Sequence, residues 1–155
     1  MIKKKCCFAG HKDTSCGSIK QKLQDTLIKL IENENVQYFW IGNYGAFDKC
    51  AATVIKSLKK EYPDIKSELI IPYLTKDIIN NGDYYKNYDS ILIAEIPPNT
   101  PQKFRISKAN EYMVKKCDYI VCYVDHTYGG AYQTLKSAQK KNIKIINLCD
   151  KEIKL

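Results

Sequence analysis

Tyr119-Ile120-Val121-Cys122-Tyr123-Val124, followed by Asp125-His126-Thr127-Tyr128-Gly129-Gly130, is the stretch that decides the fold. Its first half is apolar throughout, as expected of a strand covered on both faces rather than one. Two glycines then lead into Ala131, Leu135 and Ala138, spaced along one face of a helix. Ile143, Ile145, Ile146 and Leu148 supply the next strand. A strand, a glycine turn, a helix and a strand make a βαβ unit with parallel strands.

The same alternation runs through the rest of the chain. Cys6 to Ala9 forms a first strand ending at Gly10. Ser18-Ile19-Lys20-Gln21 has the form of a capping box, opening a helix with Ile19, Leu23, Leu27, Leu30 and Ile31 on its apolar stripe. Tyr38 to Ile41 is a second strand, and Ala51, Ile55, Leu58 and Tyr62 mark a second helix stopped by Pro63. Leu69 to Ile71 and Ile91 to Ala94 are further strands, separated by a polar, tyrosine-rich and irregular segment from Lys76 to Asp89. Pro97, Pro98 and Pro101 mark a loop, after which Ile106, Met113 and Cys117 recur helically. The expected fold is α/β, a Rossmann-like, open, doubly wound and mostly parallel sheet of about six strands. It forms one domain over residues 1–155.

The 155 residues are 45% hydrophobic and 27% charged, which excludes a disordered or fibrous chain. No apolar run approaches the roughly 20 residues of a membrane helix, and the start is too short in apolar residues for a signal peptide. A cytoplasmic protein with no membrane partner is expected. The seven cysteines are an odd number without a CxxC pair, so reduced, mostly buried thiols and no metal are expected. Cys16 and Cys50 stand apart near loops or helix starts. The net charge of +8 comes from lysines dispersed over every helix, with no run longer than Lys3-Lys4-Lys5. That dispersal reads as solvated surface and disfavours nucleic acid as a partner.

Ligands of such sheets bind outside the carboxyl ends of the strands. The loops there are Gly10-His11-Lys12, Gly42-Asn43-Tyr44-Gly45-Ala46-Phe47-Asp48, Pro72-Tyr73 and Asp125 to Gly130. Both histidines and five of the seven glycines fall in them. Gly42-x-x-Gly45 and Gly129-Gly130 each precede a helix, where close backbone approach and free N–H groups suit phosphate. Asp48 is either a first-turn carboxylate facing the helix dipole or an acceptor for a ribose hydroxyl. Asn110 lies on an apolar stripe and needs hydrogen-bond partners, from a ligand or a loop. Arg105, the single arginine, has the fork that suits phosphate or carboxylate. His11 is a base or a turn-stabilising group, and His126 is the weaker candidate. No Ser-His-Asp, HExxH or Walker A pattern is present, and no cofactor is implied.

These motifs resemble a family. Cys6-Cys7-Phe8-Ala9-Gly10-His11-Lys12 looks like the "CCFTGHR" opening of the small bacterial and phage members of the SLOG superfamily. Gly42 to Ala52 with Leu58-Lys59-Lys60-Glu61-Tyr62-Pro63 resembles their "GGAxGFDxxAA…LKxxYP" block. Arg105 to Val114 is similar to "RNxxMV", Cys117 to Val121 to "SDxLIA", and Tyr128-Gly129-Gly130-Ala131-Tyr132-Gln133-Thr134 to "GGTxxTV". The superfamily includes the Lonely Guy phosphoribohydrolases and DNA-processing protein A, with nucleotide-derived ligands as its common theme. The resemblance implies Gly42, Gly45, Asp48, Gly129 and Gly130 as pocket residues and a homo-oligomer as the assembly. Gly10, His11, Asn43, Ala46, Arg105, Asn110, Tyr132 and Thr134 complete the candidate set. Three departures stand out: Asn43 replaces a paired glycine, Lys12 replaces an arginine, and the "PGGxGTxxE" glutamate of Lonely Guy enzymes has no acidic counterpart between Tyr128 and Lys136. The expected function is binding of a nucleotide or nucleotide-derived molecule by a sensor or regulator. The alternatives are an N-glycosidic-bond hydrolase using Asp48 or His11, and a nucleic-acid-associated protein.

Overall fold

The computed structural model describes residues 2–11 and 14–150; Lys12 of the first loop lies outside them. In chain order the elements are β1 (Lys4–Gly10), α1 (Cys16–Glu34), β2 (Val36–Ile41), α2 (Ala46–Leu58), β3 (Lys66–Ile71), α3 (Lys76–Asn80), α4 (Gly82–Asn87), β4 (Ser90–Ile93), α5 (Arg105–Lys116), β5 (Tyr119–Tyr123), α6 (Gly130–Gln139) and β6 (Lys144–Asn147). The strands form one parallel sheet in the order β4-β3-β2-β1-β5-β6. The chain steps outward from β1 to β4, then crosses back to place β5 beside β1. The strand order therefore reverses between β1 and β5, the switch point of this α/β sheet.

The strands read as continuous apolar runs because successive side chains enter two different cores. Cys6, Phe8, Tyr119 and Val121 pack with α1 and α2 on one face. Cys7, Ala9, Ile120 and Cys122 pack with α5 and α6 on the other.

Helix starts differ from expectation. α1 begins at Cys16 and its N-cap, Ser15, makes no side-chain cap bond. The Ser18 hydroxyl donates to the Ser15 carbonyl, so the capping-box pattern is not used as one. α2 begins at Ala46 and ends at Leu58, leaving Tyr62 in the following turn with its N–H on the Leu58 carbonyl. The irregular segment contains α3 and α4, each opened by a short polar side chain. Thr75 accepts from the Ile78 N–H, and Asn81 from that of Asp83. Among the described residues no helix is long and apolar enough to cross a membrane.

The thiols also differ. Cys16 and Cys50 form a disulfide with Cα atoms 5.4 Å apart, correcting the reading of all cysteines as reduced. They are 34 residues apart in sequence and meet only because α1 and α2 pack side by side. Cys6, Cys7, Cys117, Cys122 and Cys149 are in no disulfide, and all but Cys149 are buried. Burial pushes the Cys6 thiol well up and that of Cys122 to about 12, so neither is a ready nucleophile. Unfolded without reductant, the protein should take up five alkylating groups by intact mass, and after reduction all seven. Closing a loop of this length removes denatured-state entropy, so reduction should lower unfolding free energy by about 3–4 kcal/mol. Uptake at all positions without reductant would show the pair to be open.

Candidate functional site

At the carboxyl ends of β1 and β5 lies a cavity of about 390 Å³, a size suited to a small ligand. Its walls are Phe8 to His11 from the end of β1, Tyr44 and Asp48 from the start of α2, and Ile106 and Asn110 from α5. His126, Tyr128 to Ala131 and Thr134, from the β5–α6 turn and α6, complete it.

Two glycines give the cavity its shape by backbone conformation. Gly45 and Gly129 are the N-cap residues of α2 and α6, with φ of 137° and 91°, values that side-chain-bearing residues rarely adopt. Each turn delivers a helix start, with its free N–H groups, to the same sheet edge. Two other glycines allow close approach. A Cβ on Gly10 would lie 2.2 Å from the Phe47 ring, and one on Gly42 would lie 3.0 Å from Asp48 Oδ2. Gly10 therefore seats α2 as well as lining the cavity. The Tyr44 N–H donates to Asp48 Oδ2 at 3.0 Å. Burial pushes the Asp48 carboxyl up to about 6, against the opposing pull of that hydrogen bond. Burial, then Tyr73 and Asp48, raises the Tyr44 hydroxyl to about 12, so it stays a neutral donor.

The two histidines meet across the β1–β5 junction. Their rings stack with centroids 3.4 Å apart, and Tyr128 continues the stack 4.0 Å from His126. Asp125 Oδ1 lies 2.6 Å from His126 Nδ1 and 3.3 Å from His11 Nε2. The Asp125 N–H donates to His11 Nε2 at 3.2 Å, which makes that nitrogen an acceptor. His11, Asp125 and His126 are the metal-capable group among the described residues, with ligand atoms within 4.8 Å of one another. The rings are only 14° from parallel, so their in-plane lone pairs run side by side instead of converging. In this pose the group forms a wall; coordinating an ion requires His126 to turn out of the stack.

Of the candidates named from sequence, Gly10, His11, Asp48, Asn110, Gly129, Gly130 and Thr134 line the cavity together. The Asn110 side chain has no hydrogen-bond partner among the described residues and borders the open space. Thr134 donates to the Gly130 carbonyl at 2.9 Å. Gly42, Asn43, Gly45 and Ala46 build the turn behind Asp48. Asn43 Nδ2 donates to Tyr84 Oη at 3.3 Å and that hydroxyl donates to Asp77 at 2.9 Å, so the tyrosine-rich α4 braces the turn. Arg105 is directed elsewhere: Nε donates to the Thr100 carbonyl at 3.3 Å, and the guanidinium lies 5.3 Å from the Tyr73 ring centre. Tyr132 packs against the α5–α6 core, with Lys136 Nζ 5.6 Å from its ring centre. Sequence reasoning passed over Tyr44 and Tyr128 and underweighted His126, though all three sit in the loops after strands. Ile106 belongs to the apolar stripe that recurs helically with Met113 and Cys117, yet it is 41% exposed at the cavity.

The model of the YspA SLOG family (YpsA) matches residues 3–151. A UPF0398 protein of Bacillus licheniformis is 26% identical over 143 residues, 86% of this chain and 76% of that protein. The SPbeta prophage-derived protein YoqJ of Bacillus subtilis is 28% identical over 138 residues, 79% of this chain and 81% of its own. Among solved structures, DNA processing protein A from Streptococcus pneumoniae superposes with a TM-score of 0.65 at 16% identity. That match covers 92% of this chain, which spans about half (49%) of the larger protein.

Asp48 gives this site a pH signature. Its carboxyl sits near 6 in the fold against an ordinary 3.8, so folding favours the protonated form. The stability it contributes is complete below the ordinary value and is lost as pH rises through about 6. Asp48→Asn removes that loss, so the variant should gain on the parent between pH 4 and 7 in denaturant titrations. A difference that does not change with pH would mean a solvated carboxyl.

Proposed function

The chain belongs to the YspA SLOG family, and from that premise we propose that its cavity binds a nucleotide or nucleotide-derived small molecule in the cytoplasm, as a sensor or regulator. The observation that carries this reading is that the glycine-capped start of α6 opens on a cavity at the β1–β5 switch point that Asp48, from the first turn of α2, also lines. Helix starts attract anions through their unsatisfied N–H groups and the positive end of the dipole. A Cβ on Gly129 or Gly130 would meet nothing within 4 Å, so there is room for a phosphate against α6. Asp48 is the acceptor for a ribose hydroxyl. The Asn110 amide can read a base edge, and the Tyr128 ring and Ile106 offer the apolar surface on which a base stacks.

One observation favours a second reading, hydrolysis of an N-glycosidic bond. An Asp48 carboxyl near 6 is poised to hold or give up a proton at neutral pH. Against it, the first two turns of α6 carry no acidic side chain to share that work.

Gly130→Leu places a side chain in open space, so it should leave the fold intact while filling the phosphate site. Nucleoside monophosphates should raise the melting temperature of the parent and leave the variant unmoved. A full response in the folded variant would remove the α6 start from the site. Chromatography of the same mixtures should show no free base above background. Base release lost in Asp48→Asn would instead establish the hydrolase.

A further inference from the structure

A second concavity, of about 700 Å³, runs between α5 and α6. It gathers Lys108, Lys115 and Lys116 from α5 with Lys136, Lys140 and Lys141 from α6 and the turn beyond it. The acidic residues lining it are Glu95 and Glu111, and Glu111 pairs with Lys108 at 3.2 Å. The other five lysines are in no ion pair among the described residues. On the opposite face Lys22 pairs with Asp150, Lys59 with Asp89, and Lys56 donates to Asn87, while Lys20, Lys29 and Lys60 are in no ion pair among the described residues and line neither concavity. The fold gathers six lysines dispersed along the sequence into this one concavity. The carbonyl ends of α5 and α6 supply about half a negative charge each, enough to offset about one lysine. The remaining positive charge calls for an outside anion.

We propose that this groove holds the backbone of a single-stranded nucleic acid. Packed helices lie roughly 8–10 Å apart, so the furrow between two of them admits one extended strand and not a duplex. Successive lysine charges along a furrow match the successive phosphates of a strand. Ser107, Ser137 and Gln133 add neutral donors for phosphate and sugar oxygens. A membrane surface fits less well: basic faces that bind it carry apolar residues to insert. The exposed large hydrophobics, such as Leu74, Ile79 and Ile93, all lie outside this groove. The groove shares only Thr134 with the nucleotide cavity, so this inference does not depend on what the cavity binds.

The test is fluorescence anisotropy with a labelled oligothymidylate across a salt series. If five lysines each neutralise a phosphate, log affinity should fall against log salt with a slope of about −3.5. The triple variant Lys115→Gln, Lys136→Gln, Lys140→Gln should flatten that slope by about 2 and weaken binding roughly tenfold at moderate salt. Lys20→Gln, Lys29→Gln, Lys60→Gln, on the opposite face, should leave the slope unchanged; both variants must melt as the parent does. Equal loss in the two variants would assign binding to diffuse charge and overturn the groove. So would absence of binding at low salt, or displacement of the strand by a nucleoside monophosphate, which would put it in the cavity. Phosphatidylserine vesicles that bind the parent more tightly than the oligonucleotide, and lose it in the groove variant, would reassign the surface to a membrane.

Discussion

The ring of Phe47 occupies the space that a side chain on Gly10 would need. That contact joins the end of β1 to the first turn of α2, and the site's arrangement follows from it. With α2 held this close, Asp48 reaches back over Gly42, takes the Tyr44 N–H, and is buried enough to hold a proton near pH 6. Gly45 must then take a conformation that other residues rarely reach, because the chain has to turn sharply from β2 into a helix pressed against β1. Adding a methyl group at Gly10 would force Phe47 out of a core it shares with Phe8, and overpacking of that kind costs about 1–3 kcal/mol. The cavity would lose its α2 wall with it.

The sheet was legible in the sequence because strands covered on both faces leave little room for polar residues. Helix starts were less so. The apolar stripe of α2 was visible from Ala51 onward and Asp48 could be placed in its first turn, but nothing in the pattern marked Phe47 as core. At α1 the capping-box pattern competed with a start at Cys16 that uses no side-chain cap at all. Thr75 and Asn81 did carry the signal for α3 and α4. It was obscured by polar residues, since these short helices bury little beyond Ile78.

The candidate site was legible where chemistry depends on backbone position. Glycine turns after strands fall at the sheet edge by topology alone, so Gly129, Gly130 and Asp48 could be grouped without coordinates. Side-chain direction could not. Arg105 begins α5 beside the cavity residue Ile106, yet its guanidinium turns to Tyr73 and Thr100. His11 and His126 are far apart in sequence, and only the adjacency of β1 and β5 stacks them. Cys16 and Cys50 likewise become partners through the packing of α1 on α2.

The lysine groove follows from the same topology that makes the cavity. α5 and α6 both run against the parallel strands, so their starts share one end of the sheet and their carboxyl ends the other. Starts at one end concentrate N–H groups beside β1 and β5. Carboxyl ends at the other tolerate lysine, since each macrodipole terminates there in negative partial charge. That tolerance explains why Lys115, Lys116 and Lys136 stand in the last turns of their helices and Lys140 at the C-cap of α6. It does not account for their sum, because two helix ends neutralise about one charge. α6 therefore has its start at the cavity and lysines in the groove along its flank, with Thr134 lining both. A ligand held at the start of α6 and a strand lying along its side would each bear on one short, ten-residue helix.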